Sequence, residues 1–287
     1  MGLKFTILGG DKRSLELGKS LMKDGNDLCI YGFDKMEEYK YQSISLKEAI
    51  EHADVIVGPL PFSTDNININ APFSEGVFKI DRAFDLMSKD QIIIGGKLGS
   101  DNEKKLENMS LKFDDYFKRE EMQVLNAIPT AEGAIQIAME EMPITLHNSN
   151  VIVLGYGRIG KVLSKMLYGI GANVHVEARN YNDLAWINNY GYIGVHQNEL
   201  EKYLPRMNVV FNTIPGMILN KELLKSIEEN CIIIDLASKP GGVDLEAAKE
   251  LGIKVISALG LPGKVAPVTA ARVIKDTIYN IIEELNI

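Results

Sequence analysis

The stretch Asn150-Val-Ile-Val-Leu-Gly-Tyr-Gly-Arg-Ile-Gly160 decides the fold of the second half of this 287-residue chain. A short apolar run, Val151 to Leu154, has the length of a buried strand. It ends in Gly155-x-Gly157-x-x-Gly160, and Val162, Leu163, Met166, Leu167 and Ile170 follow at helical spacing. The three glycines alone are common; strand, glycine turn and helix in that order are the context a dinucleotide fingerprint requires. Gly155 permits a tight turn, Gly157 lets the backbone approach a pyrophosphate, and Gly160 lets helix and strand pack closely. The helix start adds free N–H groups and the positive end of its dipole. Gly155, Tyr156, Gly157, Arg158, Ile159 and Gly160 are therefore expected to hold a dinucleotide, with Arg158 over its pyrophosphate.

The end of the following strand, Asn173-Val-His-Val-Glu-Ala-Arg-Asn180, sets which dinucleotide. NAD enzymes place a carboxylate about 20 residues past the motif to hold the ribose 2′-OH. Ala178 stands there, eighteen residues past Gly160, followed by Arg179 and Asn180. Without a carboxylate a 2′-phosphate meets no repulsion, and a neighbouring guanidinium pairs it. NADP is the expected cofactor, with Ala178, Arg179 and Asn180 at its ribose. Two alternatives stay open: Arg179 as an ordinary solvated turn residue, and Glu177, one residue early, which a one-residue slip of register would bring round in favour of NAD.

Further along, Val209–Asn212, Ile232–Asp235 and Lys254–Ile256 read as strands, with Tyr192–Val195 a weaker candidate. The first half shows the same alternation. Leu3–Leu8, Leu28–Phe33, Val55–Val57 and Gln91–Ile94 read as strands, and Ser14–Asp24, Ser45–Ala53 and Val77–Met87 as helices. Such alternation predicts parallel sheets with helices on both faces. The first turn, Gly9-Gly10-Asp11-Lys12-Arg13, lacks the fingerprint spacing. Between the halves, Ala131, Ile135, Ala138, Met139 and Met142 form a helical stripe, with Pro129 and Pro143 as its limits and Thr130 as its N-cap. Ala271, Ile274, Ile278, Ile281 and Leu285 form another near the C-terminus.

The expected fold is thus α/β, with two Rossmann-like doubly wound parallel-sheet domains and an interdomain cleft. Residues 1–128 form the first domain, 129–144 a connecting helix and 145–264 the cofactor domain; 265–287 return to the first domain.

Length allows about two domains. With 46% apolar and 24% charged residues the composition is that of a soluble protein. A net charge of −8 argues against nucleic acid or an anionic membrane as partner. No apolar run approaches a membrane span, and the Gly2/Thr6 match to a lipidation motif falls on the first strand. Cys29 and Cys231 each lie in strand-like runs and read as reduced buried thiols, in keeping with the cytoplasm. No Cys/His cluster has metal-ligand spacing.

Several segments together resemble the family of dipicolinate synthase A subunits. They are Gly9-Gly-Asp-Lys-Arg13, Asn126-Ala-Ile-Pro-Thr-Ala-Glu-Gly133, the Leu154–Gly160 loop, Asn212-Thr-Ile-Pro-Gly-Met-Ile-Leu219, Asp235-Leu-Ala-Ser-Lys-Pro-Gly-Gly242 and Gly260-Leu-Pro-Gly-Lys-Val-Ala-Pro267. The resemblance runs nearly end to end. It implies NADP-linked oxidation of dihydrodipicolinate, or its hydrated precursor, to pyridine-2,6-dicarboxylate during bacterial sporulation. It also implies a second, flavoprotein-like B subunit of the synthase, hence a hetero-oligomer; homo-oligomers are possible as well. Within the family pattern, Lys97 and Gly216 look like local variations.

Ligands of open α/β sheets bind beyond the C-terminal ends of the strands. Thr213, Ile214 and Pro215 follow one such end and are expected beside the nicotinamide ribose; the plainer reading is a loop in which Thr213 caps backbone groups. Ala237 and Gly260, from the two loops beyond, complete the expected cofactor contacts. Ser238 and Lys239 stand where the 2-hydroxyacid dehydrogenases of this architecture carry a carboxylate-binding Arg. Lys239 is a catalytic-site candidate that pairs a ring carboxylate, or else a snorkelling surface lysine. Those enzymes also use a His after the last strand, and Ser257-Ala-Leu-Gly-Leu-Pro-Gly263 has none. Aromatising a dihydropyridine asks less of its base, and Glu132 is the candidate proton acceptor or ring-orienting group. Its plainer role is an acid in a helix's first turn. That helix N-terminus is itself an alternative receptor for a substrate carboxylate. A small dicarboxylate needs cations and hydrogen bonds; Arg13, Arg119, Lys97, Ser63 and Thr64 of the first domain are candidates, with Thr130 between the domains.

The remaining function classes are a two-domain dehydrogenase of 2-hydroxy or 2-amino acids, and an NADP-binding regulatory protein without hydride transfer.

Overall fold

Two all-parallel sheets account for every strand among the described residues, which are 2–36, 43 and 45–287 of a computed structural model. The chain divides into two units: residues up to Leu125 together with Ala266–Ile287, and Asn126–Val265.

The first unit runs β1 (Lys4–Leu8), α1 (Lys12–Lys23), β2 (Asp27–Tyr31), α2 (Leu46–His52), β3 (Val55–Val57), α3 (Ile80–Asp85), β4 (Ile92–Gly95), α4 (Ser100–Asn108) and β5 (Lys112–Asp115). Its sheet has the order β2-β1-β3-β4-β5. This is a doubly wound order that reverses between β1 and β3. β3 and β4 are buried along their whole length, as strands covered on both faces must be, and their sequences are correspondingly unbroken apolar runs.

Helix α5 (Glu120–Glu141) carries the chain into the second unit. There follow β6 (Asn150–Leu154), α6 (Arg158–Ile170), β7 (Asn173–Ala178), α7 (Tyr181–Asn189), β8 (Ile193–His196), α8 (Leu200–Tyr203), β9 (Val209–Asn212), α9 (Lys221–Leu224), β10 (Ile232–Asp235), α10 (Leu245–Glu250), β11 (Lys254–Ser257) and α11 (Leu261–Val265). The sheet order β11-β10-β9-β6-β7-β8 is that of a dinucleotide-binding fold, with its reversal between β6 and β9. One face packs Val151, Val153, Val176, Phe211 and Ile234 against Leu163 and Leu167 of α6 and the small side chains of α5. The other packs Ile152, Val210 and Ile233 against Leu200, Leu224 and Ala247.

Helix α12 (Pro267–Glu284) belongs to the first unit. Ala271, Ile274, Ile278 and Ile281 are buried in that unit's core with Leu17 and Leu21 of α1. Tyr279 accepts a hydrogen bond from Asn26 and donates one to Asp24, and Lys275 pairs with Asp24. Leu285 does not continue the stripe; it caps the helix and is exposed.

Four further expectations are corrected. The connecting helix does not begin at Thr130: Pro129 lies inside α5, nine residues past its start. Proline lacks an N–H and cannot serve the carbonyl of Leu125 four residues back, but a long helix with a buried stripe absorbs that loss. Thr130 is accordingly no N-cap, and its hydroxyl donates to the Asn126 carbonyl within the helix. Met139 faces outward, whereas Ala131, Ala134, Ile135 and Ala138 are buried. The helix expected over Val77–Met87 shortens to α3, and Val77 is exposed.

Candidate functional site

The three fingerprint glycines differ in what a side chain would meet. Gly155 has φ +93°, a left-handed conformation that favours glycine. A Cβ at Gly160 would lie 2.0 Å from the Gly155 carbonyl oxygen, so this glycine serves the close approach of α6 to its loop. Gly157 is the N-cap of α6 at φ −80°, and a Cβ there would meet nothing within 4 Å. Neither backbone strain nor packing within the protein demands glycine at that position, and the backbone there is open to close approach. No side chain caps α6, which leaves its first N–H groups open to a phosphate. The residues present therefore fit a dinucleotide.

Register fixes the neighbour. Leu154 pairs with Glu177 across β6 and β7, so Ala178 and Glu177 point to opposite faces. Ala178 joins the core beside α6. Glu177 is buried, and its Oε2 accepts the Gly155 N–H at 3.1 Å. Burial holds its carboxyl above the ordinary value, against the smaller opposing pull of the Gly155 bond and the Arg179 charge. Arg179 and Asn180 are exposed beyond the strand, with Asn180 the N-cap of α7.

On the other side of the reversal, Thr213 is anchored twice to the Leu154 carbonyl, by its N–H at 3.0 Å and its hydroxyl at 2.8 Å. Both the loop role and proximity to the glycine turn are therefore real: a Cβ on Gly155 would lie 2.7 Å from the Thr213 hydroxyl. Ile214 is half-buried and Pro215 exposed.

The sequence pattern does not single out the polar pair behind this loop. Asn212 and Asp235 end neighbouring strands in register, both buried. Asn212 donates to Asp235 at 2.8 Å and to the Ile214 carbonyl, and accepts the Ile214 N–H. Asp235 also accepts the N–H of the buried Ala237. Gly242 closes against them, since a Cβ there would lie 2.3 Å from the Asn212 amide nitrogen. A polar residue ending each of two otherwise apolar strands was the available signal. Ser238 and Lys239 stand exposed on the loop so held, and Lys239-Pro240 is cis. Gly260 adopts φ +69° just before α11.

Glu132 is not in a first turn; it is exposed in the middle of α5, so that helix offers no N-terminus to a substrate beside it. The neighbouring Gly133 lets α5 approach α11, with Leu261 Cβ 3.1 Å from where its own Cβ would be. Tyr156 is partly buried, which pushes its hydroxyl up to about 12.

The first unit's candidates separate into engaged and free groups. Arg13, read as a cation for substrate, is buried; it pairs with Asp11 at 2.8 Å and donates to the Leu60 carbonyl. Arg119 is bound to Glu284 at 2.6 Å and lies 3.8 Å from Asp114. Both brace the unit's own structure. The Ser63 hydroxyl donates to the Asn68 carbonyl, and Thr64 is exposed. Lys97 is held at φ +61° with its N–H on Asp115, a conformation costly for a residue with a Cβ, and its side chain is exposed.

Among the described residues no group of His, Cys, Asp and Glu is arranged to hold a metal, and no helix is long and apolar enough to cross a membrane. Cys231 is buried, Cys29 only partly, and both are free thiols.

A dinucleotide sheet order, a glycine loop open at Gly157 and an uncapped helix define a dinucleotide-binding domain, and its family match makes it an NAD-binding dehydrogenase domain, which takes a nicotinamide cofactor. Residues 122–248 match the family model of the D-isomer specific 2-hydroxyacid dehydrogenase NAD binding domain. Residues 4–117 match that of the N-terminal domain of the dipicolinate synthase A subunit. The chain is 34% identical to the A subunit of dipicolinate synthase from Bacillus subtilis, over 99% of its own length and 97% of the relative's. It belongs to the family of dipicolinate synthase A subunits. Two solved structures from that family are similar throughout. The one from Bacillus halodurans has a TM-score of 0.89 at 29% identity, covering 98% of each chain. The one from Bacillus subtilis has a TM-score of 0.89 at 32% identity, covering 100% of this chain and 97% of the other.

Proposed function

We propose that this chain is an NADP-dependent dehydrogenase that oxidises dihydrodipicolinate, or its hydroxy-tetrahydro precursor, to dipicolinate for bacterial sporulation. It acts in the cytoplasm as the A subunit of the synthase, beside a flavoprotein-like B subunit. The observation that carries the reading is the glycine loop, open only at Gly157, in a chain whose family likeness extends end to end.

When bound, the nicotinamide supplies the hydride acceptor. The backbone from Gly155 to Gly160 and the start of α6 bind the pyrophosphate, with Arg158 beside it. Arg179 pairs the 2′-phosphate, and Ala178 offers it no repulsion. Glu177, occupied with Gly155, is withdrawn from the ribose hydroxyls. The Thr213–Pro215 loop, fixed from behind by Asn212 and Asp235, presents a rigid wall to the nicotinamide ribose. Lys239 pairs a ring carboxylate and Ser238 donates to it. The loop after β11 carries no histidine. Aromatisation needs only a weak acceptor for a loosely held ring proton, and Glu132 or a water serves.

Absorbance of reduced cofactor, followed as fresh dihydrodipicolinate is added with and without the B subunit, tests the reading. Growth of the NADPH band supports it, and its absence under both conditions contradicts it. The match of residues 122–248 to the 2-hydroxyacid dehydrogenase domain favours one second reading, oxidation of a 2-hydroxy or 2-amino acid. NADP reduction by such acids, with none from the cyclic compound, would establish that instead.

A further inference from the structure

Between α6 and α7 lies a half-open pocket of about 520 Å³, large enough for a small ligand. Of the residues that line it, only Tyr156 belongs to the glycine loop. The α6 side carries Lys161 and Lys165, one turn apart and therefore on one face. Both are exposed, and neither is in an ion pair among the described residues; Lys161 lies over the Tyr156 ring, 5.4 Å from its centre. Opposite them stand Trp186 and Tyr190, again four apart, with rings stacked at 5.8 Å and 25°. Tyr192 continues this aromatic wall, at 6.2 Å from Tyr190. Trp186 is 57% exposed and Tyr190 54%, large apolar surfaces that a solvated helix face does not need. Asp183 is the one acidic group of the lining.

Three chemistries thus meet in one pocket: flat aromatic faces, two adjacent ammonium groups and a single carboxylate. Aromatic faces stack a planar base. Lysines bind phosphate as point charges. A lone carboxylate accepts a ribose hydroxyl or an exocyclic amine. We propose that the groove between α6 and α7 is a second ligand site that takes a purine nucleotide, its base on Trp186 and Tyr190, its phosphate on Lys161 and Lys165, and a donor group on Asp183. The ligand is a free nucleotide rather than nucleic acid, because the chain's net charge of −8 repels a polyanion. Tyr156 places this site next to the glycine loop.

Trp186 is the only tryptophan in the chain, so its fluorescence reports the pocket without a label. The full-length protein is titrated with AMP and with ATP, and with adenosine as the uncharged control. Both nucleotide titrations are repeated under saturating NADP. Saturable quenching by the nucleotides that persists with NADP bound is the expected result. Lys165→Ala should weaken AMP by about tenfold or more while changing adenosine little. Tyr190→Ala should weaken both. NADP binding should be unchanged in Lys165→Ala and weakened in Gly157→Ala, which separates failure of this site from failure of the cofactor site. The proposal is overturned if no nucleotide quenches at millimolar concentration, or if Lys165→Ala leaves AMP binding unchanged. Complete displacement by NADP would overturn it too, by making the pocket part of the dinucleotide site. Self-association abolished by Trp186→Ala, with no nucleotide effect, would make the face a protein interface and overturn it as well.

Discussion

Glu177 accepts the backbone N–H of Gly155 through Oε2 at 3.1 Å, while its Oε1 is buried with no hydrogen-bond partner among the described residues. One carboxylate therefore braces the turn of the fingerprint and carries a desolvation cost at the same place. Its pKa is raised in the folded protein, chiefly by burial. A carboxyl raised on folding contributes stability below its ordinary value of 4.5, and that contribution is lost as pH rises through the folded value. Glu177→Gln removes the ionisation and keeps an oxygen for Gly155. Its melting temperature relative to wild type should climb as pH is taken from below 4.5 to neutrality. Calorimetry showing a constant difference across that range would refute the assignment.

Arg179 stands exposed one residue past Ala178, at the tip of β7. If it pairs a 2′-phosphate, Arg179→Ala should weaken NADP by roughly 10–100-fold, the worth of a charge-assisted hydrogen bond, and NAD hardly at all. Fluorescence or calorimetric titration with both dinucleotides measures the ratio. Equal losses would mean that Arg179 is only a solvated turn residue.

Gly160 should behave as a packing glycine. A Cβ 2.0 Å from the Gly155 carbonyl forces the helix and its loop apart. Gly160→Ala should cost about 1–3 kcal/mol by overpacking, read as a lower urea midpoint of the second unit. An unchanged midpoint would show that the turn is slack.

Asp235→Ala removes one of the two acceptors of the buried Asn212 amide, leaving it the Ile214 carbonyl, and frees the Ala237 N–H. An unpaired buried donor costs about 1–3 kcal/mol. Because the same pair fixes the Thr213–Pro215 loop, hydrogen exchange at Ile214 should quicken along with the loss of stability. Destabilisation without faster exchange there would separate the pair from the loop.

Where strands are buried on both faces the sequence spells them out. Ile-Ile-Ile-Asp at 232–235 and Val-Ile-Val at 55–57 admit no other reading once helices alternate with them. The fingerprint was legible because each glycine has its own mechanical task. Elements at the margin were not. β5, Lys-Phe-Asp-Asp, is an edge strand with only Asp115 fully buried, and α4 buries just Asn102 and Leu106. Neither carries enough apolar pattern to register. The start of α5 was hidden because proline breaks a helix in isolation, and only tertiary packing of Ala127, Ala131 and Ala134 overrides it. Arg13 and Arg119 looked available because sequence does not show that Asp11 and Glu284 fold back onto them.

The proposed chemistry requires a nicotinamide dinucleotide lying against Gly157. Titration calorimetry of NADP into wild type and Gly157→Ala, with melting temperatures taken alongside, tests this most directly. A Cβ there meets no protein atom within 4 Å, so the variant should melt like wild type yet bind NADP more than about tenfold more weakly. Full affinity in an equally stable Gly157→Ala, or no heat of binding in wild type, would contradict it.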